Sequence, residues 1–310
     1  MRLHKLFAAA ATAIFGLGLQ AHGATQDLSG DVTFIIGNDF GRNGYYEQKA
    51  VAATMGHVAE QIGPEAVLAL GDVHHYGGVQ SVSDPLWMTN YELVYSHPEL
   101  MVDWYPVLGN HEYRGNTQAV IDYSDISRRW KMPARYYAKS FDEDGTTIKI
   151  VFIDTTPLID KYHKKNDTYP DAALRDIDAQ LKWLDATLAE ATEDWVIVAG
   201  HHPIYAYTDK EESERADMQK RVDSILRRHN VDMYICGHLH NYQHIRRPGS
   251  KIDYVVNTSA SQTRKPEPVD GTVFCSDRAG FSVLTVDKKS LKLHMLDKDG
   301  NIIHVVSREK

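Results

Sequence analysis

Short apolar runs that end in glycine or a polar turn alternate along the chain with longer segments whose apolar residues recur at helical spacing. The short runs are rich in β-branched residues and predict buried strands over residues 32–37, 66–71, 104–109, 148–154, 195–200 and 233–237. Helical spacing predicts helices over residues 45–62, 178–191 and 212–229. The first of these segments ends at Gly63-Pro64, which is a helix stop signal.

The last part of the chain has a different pattern. Four strand-like runs, residues 254–258, 281–286, 291–296 and 302–306, are joined by turns and predict a sheet that becomes antiparallel at the C-terminus. Residues 161–170 and 259–276 are polar and are predicted to be loops. Together the elements predict an α/β protein with a large mixed β component.

The N-terminus has the pattern of a secretory signal. Arg2 and Lys5 precede the uncharged apolar run 6–19, and small residues follow at Ala21 and Gly23. The apolar run is shorter than the roughly 20 residues that a membrane span needs, although a retained N-terminal anchor is the alternative. We therefore expect a signal peptide at residues 1–23, a single catalytic domain at residues 24–310, export to the periplasm or medium, and no stable membrane anchor.

Composition narrows the class of protein. The chain has 310 residues, 43% hydrophobic and 25% charged, with 34 Lys+Arg against 42 Asp+Glu. These values are typical of a globular protein, and the net charge of −8 argues against general nucleic-acid binding. There are 16 His and only 2 Cys, so a bound metal would take nitrogen and oxygen ligands. Export would permit a Cys236–Cys275 disulfide, but Cys236 also fits a buried strand as a small hydrophobic residue.

Polar clusters follow five of the six predicted strands. The carboxyl ends of strands in an open α/β sheet meet along one rim, so these clusters are expected to converge. Carboxylates, one amide and several imidazoles suit divalent metal ions, and a shared Asp would allow two ions to act together on a phosphoryl group. The clusters are Gly37-Asn38-Asp39, Gly71-Asp72-Val73-His74-His75, Gly109-Asn110-His111-Glu112, Gly200-His201-His202 and Gly237-His238-Leu239-His240.

The order of these motifs resembles that of the calcineurin-like metallophosphoesterases. The nearer resemblance is to the short, tartrate-resistant type of purple acid phosphatase, and it extends over about residues 32–245. It includes the segments 107–116, 123–132, 181–188 and 196–203. The resemblance implies a four-layer α-β-β-α sandwich of two mixed sheets flanked by helices. It also implies a phosphoric ester hydrolase that uses two metal ions.

Roles for the site residues follow from the resemblance, position by position. Asp39 and His240 would bind the first metal ion, and Asp72 would bridge both ions. The second ion would be bound by Asn110, His201 and His238. His111 would lie beside the phosphate as an electrostatic stabiliser or proton donor. Glu112 would orient His111 and favour its imidazolium form.

The chain departs from the family pattern at His75. Purple acid phosphatases have there a tyrosine whose phenolate binds ferric iron and gives the colour. A neutral imidazole weakens the preference for a trivalent ion, so we expect a divalent pair, Fe²⁺, Zn²⁺ or Mn²⁺, and no purple band. Tyr76 and His74 are the alternative ligands in this loop.

A second departure lies after His201, where family members often have another histidine near the substrate. Lys210 occupies that position here, which leaves the group that protonates the leaving group open between His111 and other residues. His202 and Tyr205 are possible substrate contacts.

The function implied is an exported dinuclear-metal phosphomonoesterase that hydrolyses phosphate monoesters by in-line attack of a metal-bound hydroxide. The alternatives are a phosphodiesterase, nucleotidase or phosphoprotein phosphatase of the same superfamily, and a metal-binding surface protein that has lost catalysis. The expected partner is a phosphorylated small molecule or other phosphoester, and no nucleic acid is expected. The motifs bind the phosphate and leave the attached group unspecified.

Overall fold

The described chain contains two mixed β-sheets. The computed structural model describes residues 28–210 and 212–310, so the expected signal peptide lies outside the described residues. The strands in chain order are β1 Val32–Gly37, β2 Ala66–Ala69, β3 Asp103–Pro106, β4 Tyr137–Glu143, β5 Thr146–Phe152, β6 Trp195–Ala199, β7 Met233–Cys236, β8 Tyr242–Arg246, β9 Asp253–Val256, β10 Thr272–Ser276, β11 Gly280–Val286, β12 Ser290–Asp297 and β13 Ile302–Glu309.

Helices lie between many of the strands. The α-helices are α1 Gln48–Ile62, α2 Thr117–Asp122, α3 Asp160–His163, α4 Ile177–Ala189, α5 Glu212–Met218 and α6 Ser224–Arg228. A π-helical segment, Gln219–Asp223, joins α5 to α6, so the helix predicted over residues 212–229 forms with a local change of pitch. Further single turns are Met88–Glu92, Pro98–Leu100, Glu112–Arg114, Tyr123–Asp125, Thr156–Leu158 and Ala172–Leu174.

Both sheets are mixed, and each joins a set of parallel strands to antiparallel ones. The first sheet has the order β13-β12-β11-β1-β2-β3, in which β1, β2 and β3 are parallel. The second has the order β10-β8-β9-β7-β6-β5-β4, in which β5, β6, β7 and β9 are parallel. The parallel strands point their carboxyl ends the same way within each sheet, which is the arrangement that brings strand-end loops together.

The two sheets pack face to face through aromatic side chains. Phe34 of β1 meets Phe141 of β4 with ring centroids 4.8 Å apart, and Tyr105 of β3 stacks on Phe152 of β5 at 6.1 Å. The Tyr242 hydroxyl of β8 lies 2.7 Å from backbone carbonyl oxygens of the first sheet. These contacts form the interface of the predicted four-layer sandwich, which the structure confirms.

Helices cover the outer faces. Helix α1 packs on β1 and β11 of the first sheet, and it ends at Gly63, whose φ of 53° lies in the left-handed region that favours glycine. On the second sheet, the Gln180 side chain of α4 accepts a hydrogen bond from Asp154 N and donates one to Asp154 O, just beyond β5. Within the described residues, no helix has both the length and the apolar character that a membrane span requires.

The prediction of the strands was incomplete. Strands β4, β8 and β10 were not predicted, and β10 lies inside the segment expected to be a loop. Strand β9 was predicted as part of the antiparallel end but pairs in parallel with β7. Cys236 is buried and both cysteines are free thiols, so the Cys236–Cys275 disulfide does not form.

A buried carboxylate ties the edge of the first sheet to the second. Asp253 of β9 accepts hydrogen bonds from His244 Nε2 at 2.8 Å, Arg246 Nε at 2.6 Å and, from β13, Arg308 Nη1 at 2.9 Å. Burial raises the pKa of this carboxyl, but these donors outweigh burial and lower it to about 2. A carboxyl with a lowered pKa stabilises the fold above its ordinary pKa, and the contribution is lost as pH falls through the folded value.

We therefore predict that Asp253→Asn destabilises the protein by about 3 kcal/mol near neutral pH, because three donors lose their charged acceptor. The gap in unfolding free energy between wild type and variant should narrow as pH falls from 4 towards 2, because the wild-type carboxyl then becomes protonated. Denaturant unfolding at pH 6 and pH 3 measures both values. The exposed Asp142→Asn on edge strand β4 is the control, and a gap that is independent of pH would contradict the assignment.

Candidate active site

The strand-end loops of both sheets meet in one buried cluster. The loops after β1, β2 and β3 bring Asp39, Asp72, His75, Asn110 and His111, and the loops after β6 and β7 bring His201, His238 and His240. The predicted metal ligands are at most 4% exposed. The structure therefore brings together the carboxylates and imidazoles that the sequence analysis placed in the metal site, and Asn110 is buried between Gly109 and His111, both of which contact Asp72.

The loops reach this arrangement through uncommon backbone conformations. Asp39, Asp72, His238 and His240 all have positive φ, between 50° and 72°, in the left-handed region that side chains other than glycine rarely occupy. Gly109 allows the closest approach, since a Cβ there would lie 2.2 Å from Asp72 Oδ1. Such conformations persist only where surrounding contacts hold them, and they are concentrated at functional sites.

The two carboxylate oxygens of Asp39 have different surroundings: one accepts hydrogen bonds from neighbouring loops, and the other faces the cluster. Its Oδ2 accepts hydrogen bonds from Asn38 Nδ2 at 2.5 Å and His238 N at 2.8 Å. Its Oδ1 lies 3.0 Å from His240 Nε2 and 4.0 Å from His75 Nε2. One carboxylate oxygen and two imidazole nitrogens thus face one another on this side of the cluster.

The two carboxylate oxygens of Asp72 also differ in their surroundings. Its Oδ1 accepts a hydrogen bond from His111 N at 2.8 Å. Its Oδ2 lies 3.1 Å from His201 Nε2, 3.5 Å from His75 Nε2 and 3.9 Å from His111 Nε2. This oxygen is the most central ligand atom of the cluster, as a group that bridges two ions must be.

Backbone carbonyl groups fix the orientation of two of the rings. His201 Nδ1 lies 2.7 Å from Leu70 O, and His240 Nδ1 lies 2.6 Å from Gln262 O. Because a carbonyl oxygen only accepts, each Nδ1 must carry a proton, and it is Nε2 that faces the carboxylates. Rings held in this way are oriented to offer Nε2 to a metal ion.

The cluster contains polar atoms that the protein leaves unsatisfied. Asp39 Oδ1, His75 Nε2, Asn110 Oδ1 and His201 Nε2 are buried and have no hydrogen-bond partner among the described residues. Buried polar groups are normally hydrogen-bonded, so four such atoms pointing into one site need another partner. Carboxylate, amide and imidazole donors at this spacing fit a pair of divalent cations.

Electrostatics favours a cation at the same place. Burial raises the pKa of Asp39, but the rings of His240 and His201 outweigh it and hold the pKa below its ordinary value. Burial lowers the pKa of His201, yet the Asp72 carboxylate outweighs it and raises that pKa to about 9. The two carboxylates thus recruit positive charge from the nearest rings, and metal ions compete with protons for these nitrogens.

His75 is the residue of its loop that enters the cluster. Tyr76 points outward, is 64% exposed and stacks under the Arg42 guanidinium. His74 is buried elsewhere, 3.3 Å from Asn90 Nδ2 and edge-on to Trp87. The structure therefore places His75, rather than either alternative, beside Asp39 and Asp72.

Glu112 has different partners from those predicted. Its Oε2 accepts hydrogen bonds from Asp72 N and Gly109 N, both at 2.8 Å, and its Oε1 accepts one from His74 N at 3.1 Å. Burial and the nearby Asp72 charge raise its pKa to about 7. The carboxyl therefore ties the loop after β2 to the loop after β3, and the expectation that it orients His111 is wrong.

The His111 ring is held by a backbone carbonyl instead. Its Nδ1 donates to Tyr76 O at 2.8 Å, which leaves Nε2 facing the cluster. Burial lowers the pKa of this ring to about 3 in spite of the opposing Asp72 charge, so the neutral form is the resting form and the imidazolium expectation is corrected.

His202 and Tyr205 do not line the site. His202 is fully buried behind it, with Nδ1 2.8 Å from Thr155 Oγ1 and Nε2 2.9 Å from the Tyr162 hydroxyl. The Tyr205 hydroxyl donates to Asp223. Their polar atoms are therefore occupied within the protein, and neither is placed as a substrate contact.

Sequence analysis missed Glu214, which lies on α5. It is 1% exposed, and its Oε2 lies 3.1 Å from His238 Nε2. Lys210 also reaches His238, with Nζ 2.9 Å from Nε2 and 3.2 Å from the backbone oxygen. The available sequence signal was only an acidic residue on the apolar face of a predicted helix.

Comparisons with known proteins agree with this geometry. Residues 30–242 match the family model for the calcineurin-like phosphoesterase. Purple acid phosphatase 3 of Arabidopsis thaliana is 31% identical over 306 residues, which cover 92% of this chain and 82% of the relative. Tartrate-resistant acid phosphatase type 5 of Oryctolagus cuniculus is 34% identical over 205 residues, 64% of this chain and 62% of the relative.

A solved structure shows how widely the fold is used. GAP50, described as the anchor in the inner membrane complex of Plasmodium, has a TM-score of 0.74 at 21% identity, with 90% of this chain and 88% of that chain covered. This similarity shows a shared fold alone. The family model and the purple acid phosphatase relatives go further. The chain belongs to the calcineurin-like phosphoesterases and, within them, to the purple acid phosphatases, which are phosphoric ester hydrolases that use two metal ions.

Proposed function

We propose that this phosphoesterase is an exported phosphomonoesterase whose site holds two divalent ions. The observation that carries the proposal is the convergence of unsatisfied buried ligand atoms from both sheets. A relative that served only as a scaffold would gain nothing from keeping these atoms desolvated and unpaired.

The ligands divide around Asp72. Asp39, His75 and His240 would hold one ion, and Asn110, His201 and His238 the other, with Asp72 Oδ2 shared between them. When bound, the ions activate a water molecule for attack on phosphorus and neutralise charge on the phosphoryl oxygens. Imidazole in place of a phenolate at His75 supports divalent iron, zinc or manganese.

His111 is the group placed to meet the substrate. Its side chain is 14% exposed, whereas the rings of His75 and His201 are 0% exposed, so the substrate reaches His111 from the solvent side. A bound phosphate favours protonation of a nearby imidazole. With Nδ1 held by Tyr76 O, the proton is taken up at Nε2, from which it can be donated to a phosphoryl or leaving-group oxygen.

Lys210 supports a monoester substrate. Its ammonium group contacts His238 at the edge of the ligand cluster. Burial and the Arg264 charge lower its pKa to about 8, so it stays largely cationic at neutral pH. A phosphate monoester dianion carries one more negative charge than a diester, and an additional cation beside the site favours it.

We predict that the two-metal protein hydrolyses p-nitrophenyl phosphate with a kcat/KM well above that for bis(p-nitrophenyl) phosphate. The dianion gains more from the cationic site than the diester does, and the diester also brings a second bulky group. Stopped assays of both esters on protein loaded with Fe²⁺, Zn²⁺ or Mn²⁺ give the ratio. A preference for the diester would replace the monoesterase proposal with the phosphodiesterase alternative.

The matched control for this experiment is His111→Ala. Loss of the proton donor should lower kcat by roughly 100- to 10,000-fold. The variant should keep its two metal ions, measured by elemental analysis, because His111 is not a ligand. Undiminished turnover in the variant would show that the activity does not use His111.

A separate prediction concerns the metal at His75. Iron-loaded wild type should lack a visible tyrosinate-to-iron absorption band, because the nearest phenol, Tyr76, points outward. His75→Tyr should gain such a band under oxidising conditions. Tyr76→Phe is the control, and a wild-type band that this substitution removes would instead identify Tyr76 as the ligand.

Export is the remaining part of the proposal, together with a single catalytic domain over residues 24–310. It rests on the basic, apolar and small-residue pattern of residues 1–24. We predict that the mature protein begins at Ala24 and is found outside the cytoplasm, measured by N-terminal sequencing of fractionated cells. Retention of Met1 on cytoplasmic or membrane-bound protein would contradict export.

A further inference from the structure

One buried carboxylate beside the site, Glu214, is not among the proposed metal ligands, and its burial needs another explanation. Glu214 lies on α5, is 1% exposed, and points one oxygen at His238 Nε2, 3.1 Å away. An acidic side chain is rarely buried to this extent unless it is paired. Because Glu214 contacts His238, a residue of the metal cluster, we consider what it does for that cluster.

The other oxygen of Glu214 is held firmly by cationic and hydroxyl donors. Lys161 Nζ donates to Glu214 Oε1, and the Tyr162 hydroxyl lies 3.0 Å from the same oxygen. An ammonium group only donates, so Glu214 Oε1 is the acceptor for Lys161, and Oε2 is the oxygen left facing His238. Glu214 is thus a fixed acceptor whose free oxygen is aimed at one ring nitrogen.

His238 is oriented in the opposite sense from the other imidazoles. His201 and His240 give their Nδ1 protons to carbonyl oxygens and present Nε2. In His238 it is Nε2 that faces the acceptor, because a carboxylate accepts and cannot donate. The nitrogen left for coordination is therefore Nδ1.

A second neighbour of the His238 ring, Lys210, means that the ring can adopt either of two tautomers, each with its own partner. Lys210 Nζ lies 2.9 Å from the same Nε2, and an ammonium group only donates. With the proton on Nε2, the ring pairs with Glu214, and Nδ1 carries the lone pair and lies 3.4 Å from Lys210 Nζ. With the proton on Nδ1, the ring pairs with Lys210 and cannot coordinate through that nitrogen.

We propose that Glu214 is the positioning residue of the second metal site: it accepts the Nε2 proton of His238, fixes the tautomer that presents Nδ1, and increases the basicity of that nitrogen. The inference rests on the proposed two-metal site. Carboxylate–histidine–metal pairs of this kind strengthen metal binding.

The test is metal affinity, measured without reference to activity. Glu214→Ala should weaken binding of one of the two Zn²⁺ ions by roughly 10- to 100-fold, read by chelator competition, while the other ion is held as in wild type. Glu214→Gln keeps the volume and one acceptor oxygen, so it should give an intermediate loss. Glu212→Ala, on the exposed face of the same helix, should change neither affinity.

A spectroscopic measurement on the wild type shows directly which ring nitrogen of each histidine coordinates the metal ion. Long-range ¹H–¹⁵N NMR of the Zn²⁺-loaded protein should show one histidine coordinated through Nδ1 and three through Nε2. This experiment does not depend on whether the Glu214 variants fold.

Three results would overturn the inference, and the first two are the following. One is Nε2 coordination by all four rings, and the other is equal affinity for both ions in Glu214→Ala and wild type. An equal weakening of both ions, with a matching drop in Tm, would likewise assign Glu214 to the fold rather than to His238. A protein that binds two ions as described but hydrolyses no phosphomonoester would refute the proposed function and leave this inference standing.

Discussion

The structure depends on keeping two carboxylates, Asp39 and Asp72, dehydrated and close together. Two like charges in a medium of low polarity repel strongly, and neither can remain ionised without compensation. The chain supplies that compensation in layers. Backbone amides take one oxygen of each group, imidazoles surround the other, and bound metal ions would add the remaining positive charge.

The surrounding architecture serves this constraint. Left-handed backbone at four ligand positions and a glycine in contact with Asp72 are arrangements that isolated loops do not hold. Glu112 supports the loops after β2 and β3 by accepting hydrogen bonds from three of their backbone amides, those of Asp72, His74 and Gly109. It is a structural acceptor for these two loops.

The sequence predicted the central strands and the strand-end site well, because buried parallel strands and their polar ends leave a strong local pattern. Edge strands were harder: β4 is exposed at most of its positions, so it lacks the apolar run by which the central strands were recognised. The partners of Glu112 and Glu214 could not be predicted at all. Most of their contacts join positions far apart in the sequence, such as Glu112 with Asp72, 40 residues away, and Glu214 with His238, 24 residues away. The direction of each side chain, which residue type does not specify, decides which atoms meet.

The proposed ligands are divided between the two halves of the sandwich. Loops of the first sheet contribute the carboxylates, Asn110 and His75, and loops of the second contribute His201, His238 and His240. Ions bound there would link loops of the two sheets. They would bind the folded chain in preference to the unfolded one, because only the folded chain brings these ligands together. By mass action, each tenfold rise in free metal then adds about 1.4 kcal/mol per ion to the free energy of unfolding. The free metal concentration in the compartment that the protein occupies therefore affects the stability of the fold as well as the rate of catalysis.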